Sequence, residues 1–220
     1  MKQSFAVIGL GRFGSSVCNS LIESKQEVLA IDRDEDRVNE YMDIATHAVV
    51  ANAQDEATLR QLGLNNFDHV IVAIGEDIQA SILVTLMAKE MGVSRITAKA
   101  QDQYHAKVLE KVGADRVVHP ERDMGERVAH QLISKNILDF LELSDEYSIA
   151  EVKVTNHAYL EKTLIDLNLR QKYGLNVVAI RREGRGLIVS PAATEIVKFN
   201  DTLFVVGTTE DVEEFDDKMN

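Results

Sequence analysis

The chain has 220 residues, 36 acidic against 24 basic for a net charge of −12, and 45% hydrophobic residues. That length holds one large domain or two small ones. The acidity argues against non-specific nucleic-acid binding and against electrostatic adhesion to anionic lipid, both of which need a basic face. A single cysteine, Cys18, excludes an internal disulfide and suits a reducing compartment. No apolar run approaches the ~20 residues of a membrane helix, and no leader is expected ahead of the first strand-like run. A soluble, cytoplasmic chain is expected, reaching any membrane through a partner.

In chain order, the first expected element is a strand over Phe5–Ile8 that runs into Gly9, Gly11 and Gly14. A helix follows, then a second apolar strand, Val28–Ile31, ending in Asp32. Strand, glycine turn, helix, strand and acid in this order are the fingerprint of a dinucleotide-binding fold. Gly9 permits the tight turn, Gly11 lets a phosphate approach the backbone, and Gly14 lets the helix pack close to the sheet. The helix start offers unpaired N–H groups and a positive dipole end to an anion. Asp32 stands where a carboxylate accepts hydrogen bonds from ribose hydroxyls. The alternative, a glycine turn kept for packing alone, leaves Asp32 unexplained. Arg12 lies inside the turn, where a small or apolar residue is usual. A guanidinium there can reach a terminal phosphate, which favours a phosphate-rich mononucleotide such as ATP; the plainer reading is a solvated arginine.

Further apolar runs at Ala48–Val50, His69–Ile74, Arg95–Ala98 and Arg116–His119 read as strands buried on both faces of a parallel sheet. Helical stretches alternate with them over 56–62, 78–91 and 104–112, each followed by a glycine stop at Gly63, Gly92 or Gly113. On 78–91, Ile78, Ile82, Leu86 and Met87 form one stripe, widened by Leu83 and Met91. Six strands with intervening helices make a doubly wound, Rossmann-like unit, for which 3-2-1-4-5-6 is the default strand order.

Residues 121–142 are expected to be one long helix after Pro120, with Asp123 and Glu126 in its early turns. Its apolar residues, Val128, Leu132, Ile133, Ile137, Leu138, Phe140 and Leu141, thicken toward the end as if to meet another subunit. From Tyr147 the texture becomes that of a small α+β unit. A strand is expected at Ser148–Val154 and a helix at Leu160–Tyr173. A hairpin joins Asn176–Ile180 to Leu187–Val189, and a second pair joins Glu195–Phe199 to Thr202–Val206. A last acidic helix covers 209–216. No internal repeat or low-complexity segment interrupts the chain.

Catalytic chemistry is not legible. The second unit is too small for a substrate domain. The six histidines (His47, His69, His105, His119, His130 and His157) include no pair at helical metal-binding spacing, and no nucleophile or phosphate-transfer motif occurs. The residues suit a site that binds a nucleotide without transforming it.

The stretches F-A-V-I-G-L-G-R-F-G, A-T-H-A-V-V-A-N-A, F-D-H-V-I-V-A-I-G, I-Q-A-S-I-L, K-V-L-E-K-V-G-A-D-R-V-V-H-P-E-R-D-M-G and D-L-N-L-R-Q-K-Y-G span nearly the whole chain. Together they resemble the cytosolic RCK (KTN) regulatory subunits of Ktr-type bacterial potassium uptake systems, of the KtrA/KtrC kind. The resemblance implies a nucleotide-binding domain over 1–122, a crossover helix and linker over 123–145, and a C-terminal RCK domain over 146–220. It implies a gating subunit rather than an enzyme, activated by ATP and inhibited by ADP and cyclic di-AMP. It also implies dimers assembled into an octameric ring, peripheral on the inner face of the cell membrane, beneath an integral membrane potassium-translocating subunit. No nucleic acid and no membrane insertion are implied.

Residue by residue, Gly9, Gly11, Arg12, Phe13 and Gly14 match the family's phosphate turn, and Asp32, with Arg33 beside it, the ribose acid. Asn52 and Ala53 match the loop after the third strand, and Ala73, Ile74 and Gly75 that after the fourth. Lys99 matches a nucleotide-site lysine. Glu121 matches a carboxylate near the terminal phosphates. Because a carboxylate repels phosphate, Glu121 is expected to act through a divalent cation, Mg or Ca, bound with ATP; the plainer reading is a helix-start acid favoured by the dipole. Arg170 and Asn176 match cyclic di-AMP positions, with Val177, Ile180 and Pro191 as apolar walls; the plainer reading of Arg170 is a cation at its helix C-terminus. Many relatives carry an acid in place of Asn52. NAD(H) is a second ligand expectation, and a free-standing NAD-dependent oxidoreductase is the alternative function.

Overall fold

β1 (Ser4–Ile8) lies at the middle of a six-stranded parallel sheet, with β2 (Glu27–Asp32) and β3 (His47–Val50) on one side. β4 (His69–Val72), β5 (Ile96–Lys99) and β6 (Arg116–Val118) lie on the other, giving the order β3-β2-β1-β4-β5-β6. This is the doubly wound arrangement expected of the pattern. The computed structural model describes residues 2–133, 136–144 and 146–219, and divides the chain into two compact units, Met1–Glu121 and Arg122–Asn220. Residues 134, 135 and 145 of the expected linker, and the side chains of His130 and Phe140, lie outside the described residues.

In the first unit the sheet is buried on both faces. Ala6, Ile8, Leu29, Ile31, Val70 and Val72 face one apolar core, and Val7, Val28, Ala30 and Ile71 the other. The helices are α1 (Arg12–Glu23), α2 (Glu35–Asn39), α3 (Glu56–Gln61), α4 (Ile78–Glu90) and α5 (Gln103–Val112). The last four each begin on an aspartate, Asp34, Asp55, Asp77 and Asp102, whose side chain accepts backbone N–H bonds of the first turn. That cap defines α2, a helix too short for a periodicity to announce.

The expected stripe of α4 holds in part, since Met87 is buried and Ile82 and Met91 pack against the core. The helix buries Ala80, Ser81, Val84, Thr85, Met87 and Ala88, whereas Leu83 and Leu86 are exposed. Small side chains let a helix approach a sheet closely, so Ala80, Ser81, Thr85 and Ala88 share the packed face with Val84 and Met87, and Leu83 and Leu86 are left outside.

α6 (Pro120–Ile133) ends earlier than expected, and residues Ile137–Glu142 form a strand, β7, rather than the last turns of a helix. β7 is the edge of a five-stranded antiparallel sheet in the order β10-β9-β11-β8-β7. The others are β8 (Tyr147–Lys153), β9 (Asn176–Arg182), β10 (Gly186–Val189) and β11 (Thr202–Thr208). Ile137 is buried in this second unit's own core, which explains part of the apolar thickening. The expected helix over 160–173 is two short ones, α7 (Leu164–Leu167) and α8 (Leu169–Tyr173). Asn168 divides them at φ 48°, a left-handed conformation that asparagine tolerates. Residues 195–199 form no strand beyond one bridge, Thr163 to Ile196. The segment is tied down instead by Arg182, which donates to Asp201, to Glu195 and to the Ile196 carbonyl. α9 (Thr209–Lys218) closes the unit through Val212 and Phe215. Among the described residues no helix is long and apolar enough to cross a membrane.

Candidate functional site

Two glycines of the turn are steric necessities. Gly9 has φ +96°, and a Cβ there would lie 3.0 Å from the Ala73 carbonyl. A Cβ on Gly14 would lie 1.8 Å from the Gly9 oxygen, so α1 could not sit where it does against β1. Gly11 differs: its added Cβ would meet only Arg37 Nη1, at 3.8 Å. Its bareness keeps the backbone open rather than relieving a clash. Gly11 is the N-cap of α1, whose first turn carries neither an acidic residue nor a side-chain cap. The first N–H groups of a twelve-residue helix are thus left for an anion.

Asp32 ends β2 with its side chain 8% exposed. Oδ2 accepts the Leu10 N–H at 2.6 Å and Oδ1 accepts the Asp34 N–H at 2.9 Å, while Arg37 Nη1 stands 3.7 Å from Oδ2. Asp32 therefore organises the glycine turn itself. The expectation that a packing role leaves it unexplained does not hold. A carboxylate has about four lone-pair sites, so acceptor capacity remains for a ribose.

These elements surround a cavity of 220 Å³ at the carboxyl ends of the strands. Of the residues singled out in the sequence, Gly9, Gly11, Arg12, Asp32, Arg33, Asn52, Ala53, Ala73, Ile74 and Gly75 line it. Asn52 shapes its own loop, accepting the Gln54 N–H at 3.1 Å. Phe13 and Gly14 are not in the lining: Phe13 packs against the apolar core and Gly14 serves the turn. Lys99 and Glu121 are also outside the lining but adjacent. The Lys99 ammonium lies 3.3 Å from where a Cβ of Gly75 would be, and donates to Glu121 Oε1 at 2.5 Å. That bond, with the charge of Arg12 among the smaller causes, holds the Glu121 carboxyl below its usual range.

Arg37, Gln54, Glu76 and Asp77 also line the cavity, and the sequence reading missed them. Arg37 could have been found from Asp34, an N-cap residue that starts a helix and carries position 37 back toward Asp32. Three arginines, Arg12, Arg33 and Arg37, thus face one cavity together with three carboxylates, Asp32, Glu76 and Asp77; the arginines are the groups there that can take a phosphate.

In the second unit a shallower hollow of 190 Å³ is lined by Arg170, Asn176 and Val177 together with Leu164, Ile165, Asn168, Leu169 and Leu175. Ile180 and Pro191 are not in its lining. Its walls come from α7, α8 and the start of β9, so the corner expected between Arg170 and Asn176 is an actual depression.

Residues 5–120 match the TrkA-N domain family and residues 149–220 the TrkA-C domain family. The chain is 57% identical over 219 residues to Ktr system potassium uptake protein C of Bacillus subtilis (strain 168), covering all of this chain and 98% of that one. It is 49% identical over 217 residues to Ktr system potassium uptake protein A of the same organism, covering 99% and 97%. Among solved structures it is similar to the GsuK channel bound to NAD, with TM-score 0.69 and 16% identity, over 100% of this chain and 40% of that chain. At that identity the likeness is one of fold.

Proposed function

This chain belongs to the Ktr-type potassium-uptake branch of the TrkA-N/TrkA-C family, as a KtrA/KtrC-like RCK subunit, and we propose that it is a nucleotide-binding gating subunit for a membrane potassium transporter, activated by ATP and inhibited by ADP and cyclic di-AMP. One observation carries the nucleotide part of this reading. The phosphate turn, a buried acid at the end of β2 and Arg12 all meet in one cavity at the strand ends, where doubly wound sheets bind ligands.

The turn and the start of α1 receive the phosphates, and Asp32 receives the ribose. Ala53, Ala73 and Ile74 supply apolar wall for the base. Arg12 reaches the terminal phosphate. Among the described residues no group of three or more His, Cys, Asp or Glu is placed to hold a metal ion. A divalent cation at Glu121 would therefore be shared between that carboxylate and phosphate oxygens. NAD(H) is the weaker ligand of the same cavity. Arg170, Asn176 and Val177 receive cyclic di-AMP in the second unit. A two-fold symmetric ligand suits a hollow repeated across a dimer. The exposed side chains of Leu83 and Leu86 on α4, and of Met124, Val128 and Leu132 on α6, support assembly of dimers into a ring. The protein would then sit in the cytoplasm against its membrane partner, regulating rather than catalysing.

Calorimetric titration of the full chain with ATP, ADP, NAD, NADH and cyclic di-AMP tests the reading. Arg12→Ala should weaken ATP more than ADP, and Arg170→Ala should abolish cyclic di-AMP binding with ATP binding intact. Equal losses of ATP and ADP in the first variant would remove the terminal-phosphate role of Arg12. Retained cyclic di-AMP binding in the second would remove the site at Arg170.

A further inference from the structure

Lys99 and Glu121 form an ion pair of unequal halves. The lysine side chain is 12% exposed, that of the glutamate 64%. A shielded ammonium requires a counter-charge, because leaving it alone strands an uncompensated charge away from water. An exposed carboxylate has no such need; once released, it is solvated where it stands. The lysine is the fixed half of the pair and the glutamate the replaceable one.

The fixed half adjoins the cavity. The Lys99 ammonium lies 3.3 Å from the Cβ position of Gly75, a lining residue without a side chain to screen it. Arg12 lines the same cavity, and its charge acts on Glu121. Arg12 in the lining, and Lys99 with its paired Glu121 just behind Gly75, thus lie in and beside the cavity, whose lining also carries the carboxylates of Glu76 and Asp77. A terminal phosphate there brings up to two negative charges and three oxygens, and can meet the lysine better than a single carboxylate does.

We propose that Glu121 is an internal stand-in for a ligand's terminal phosphate, holding Lys99 until a phosphate takes its place, and that this exchange selects nucleotides with a terminal phosphate over dinucleotides. It rests on the nucleotide reading of the cavity. The selectivity follows from charge. Both phosphates of a dinucleotide are bridging diesters with one negative charge each, and neither compensates Lys99 for the lost carboxylate as a terminal phosphate does. The fold's fingerprint is that of dinucleotide sites, and the pair shifts preference toward ATP and ADP. The exchange also unties a tether, since Glu121 is the second residue of α6 and Lys99 the last of β5.

The test is calorimetry on the full chain in EDTA, free of divalent cations, with ATP, ADP and NAD. Glu121→Gln should tighten ATP and ADP by about three- to tenfold and leave NAD unchanged. Lys99→Met should weaken ATP and ADP by about tenfold or more, the scale of a lost charged hydrogen bond. In the Lys99→Met background, Glu121→Gln should have no further effect; Lys99→Gln replaces the methionine variant if that does not fold. Unchanged or weaker ATP and ADP binding by Glu121→Gln would overturn the exchange. Equal tightening with and without Lys99 would also overturn it, assigning the effect to long-range repulsion. A wild-type chain that bound none of the three would instead overturn the nucleotide reading itself.

Discussion

The Asp32 carboxylate accepts the backbone N–H of Leu10 at 2.6 Å, joining the end of β2 to the glycine turn that follows β1. The same side chain is thus a candidate ribose acceptor and a brace for the phosphate turn. Asp32→Ala leaves a buried N–H without its partner, and should destabilise the chain by about 1–3 kcal/mol in denaturant unfolding. It should also lower ATP and ADP affinity together, because both carry the ribose. Asp32→Asn keeps one carbonyl acceptor and should lose less stability. Unaltered unfolding of Asp32→Ala would refute the bracing role.

Gly14 and Gly11 separate packing from binding. Gly14→Ala puts a methyl 1.8 Å from the Gly9 oxygen, so α1 must move away from the sheet. A loss of about 1–3 kcal/mol or more is expected, as for other overpacked sites. Gly11→Ala meets only a guanidinium tip at 3.8 Å. It should melt near wild type while binding nucleotide more weakly. Thermal melts paired with calorimetry check both; a normal melt for Gly14→Ala would contradict the close approach.

His105 makes the stability of the first unit sensitive to mild acid. The residue is 3% exposed, and its Nδ1 accepts the Gln101 N–H at 3.2 Å. Burial, reinforced by the charge of His119 and opposed by Asp102, lowers its pKa from the ordinary 6.5. His69 is lowered as well, first by burial and then by the charge of Arg95. The unfolded chain therefore takes up these protons near pH 6.5, before the folded chain does. Stability is full above that pH and falls as pH drops through it toward the lowered folded values. Melting temperature should decline from pH 7.5 to about 5, and His105→Asn, whose side-chain oxygen can accept the same N–H, should flatten the decline. An unchanged slope in the variant would exclude His105 as the cause.

Arg182 is the corresponding brace in the second unit. It donates to Asp201 at 2.7 and 2.9 Å, to Glu195 at 2.8 Å and to the Ile196 carbonyl at 2.7 Å, and Asp201 is 1% exposed. Arg182→Met leaves that carboxylate without its counter-charge, the Lys198 N–H at 2.9 Å still donating to it, and should cost about 3–5 kcal/mol. Arg182→Lys should restore only part, because an ammonium lacks the planar fork. Differential scanning calorimetry of the full chain is the measurement. A wild-type thermogram for Arg182→Met would show that the segment over 195–199 does not depend on this arginine.

Local pattern determined much by itself. Apolar runs closed by glycines and capping aspartates define six strands and most of the first unit's helices, because strand burial and capping act over a few residues. The phosphate turn was legible for the same reason. Gly14 answers to Gly9 within the turn itself, whereas Gly9 against Ala73 and Asp32 against Leu10 also depend on the neighbouring strands. Ten of the residues singled out line one cavity because the glycine turn, the end of β2 and the loops after β3 and β4 all lie at the carboxyl edge of one sheet. What depended on distant partners was not legible. The strand at 137–142 looked helical because Ile137, Leu138, Phe140 and Leu141 fall at helix-like spacing, and its place at the edge of a five-stranded sheet was set by the whole second unit. Leu83 and Leu86 fall outside the packed face of α4 because periodicity reports which residues align, not which side the sheet admits. Arg37 approaches Asp32 only through the capped turn of α2, and the pairing of Lys99 with Glu121 exists only because β5 ends beside the start of α6. Propensity and capping are short-range and can be read along the chain, whereas pairing, close approach and charge neutralisation are long-range and were decided by the tertiary structure.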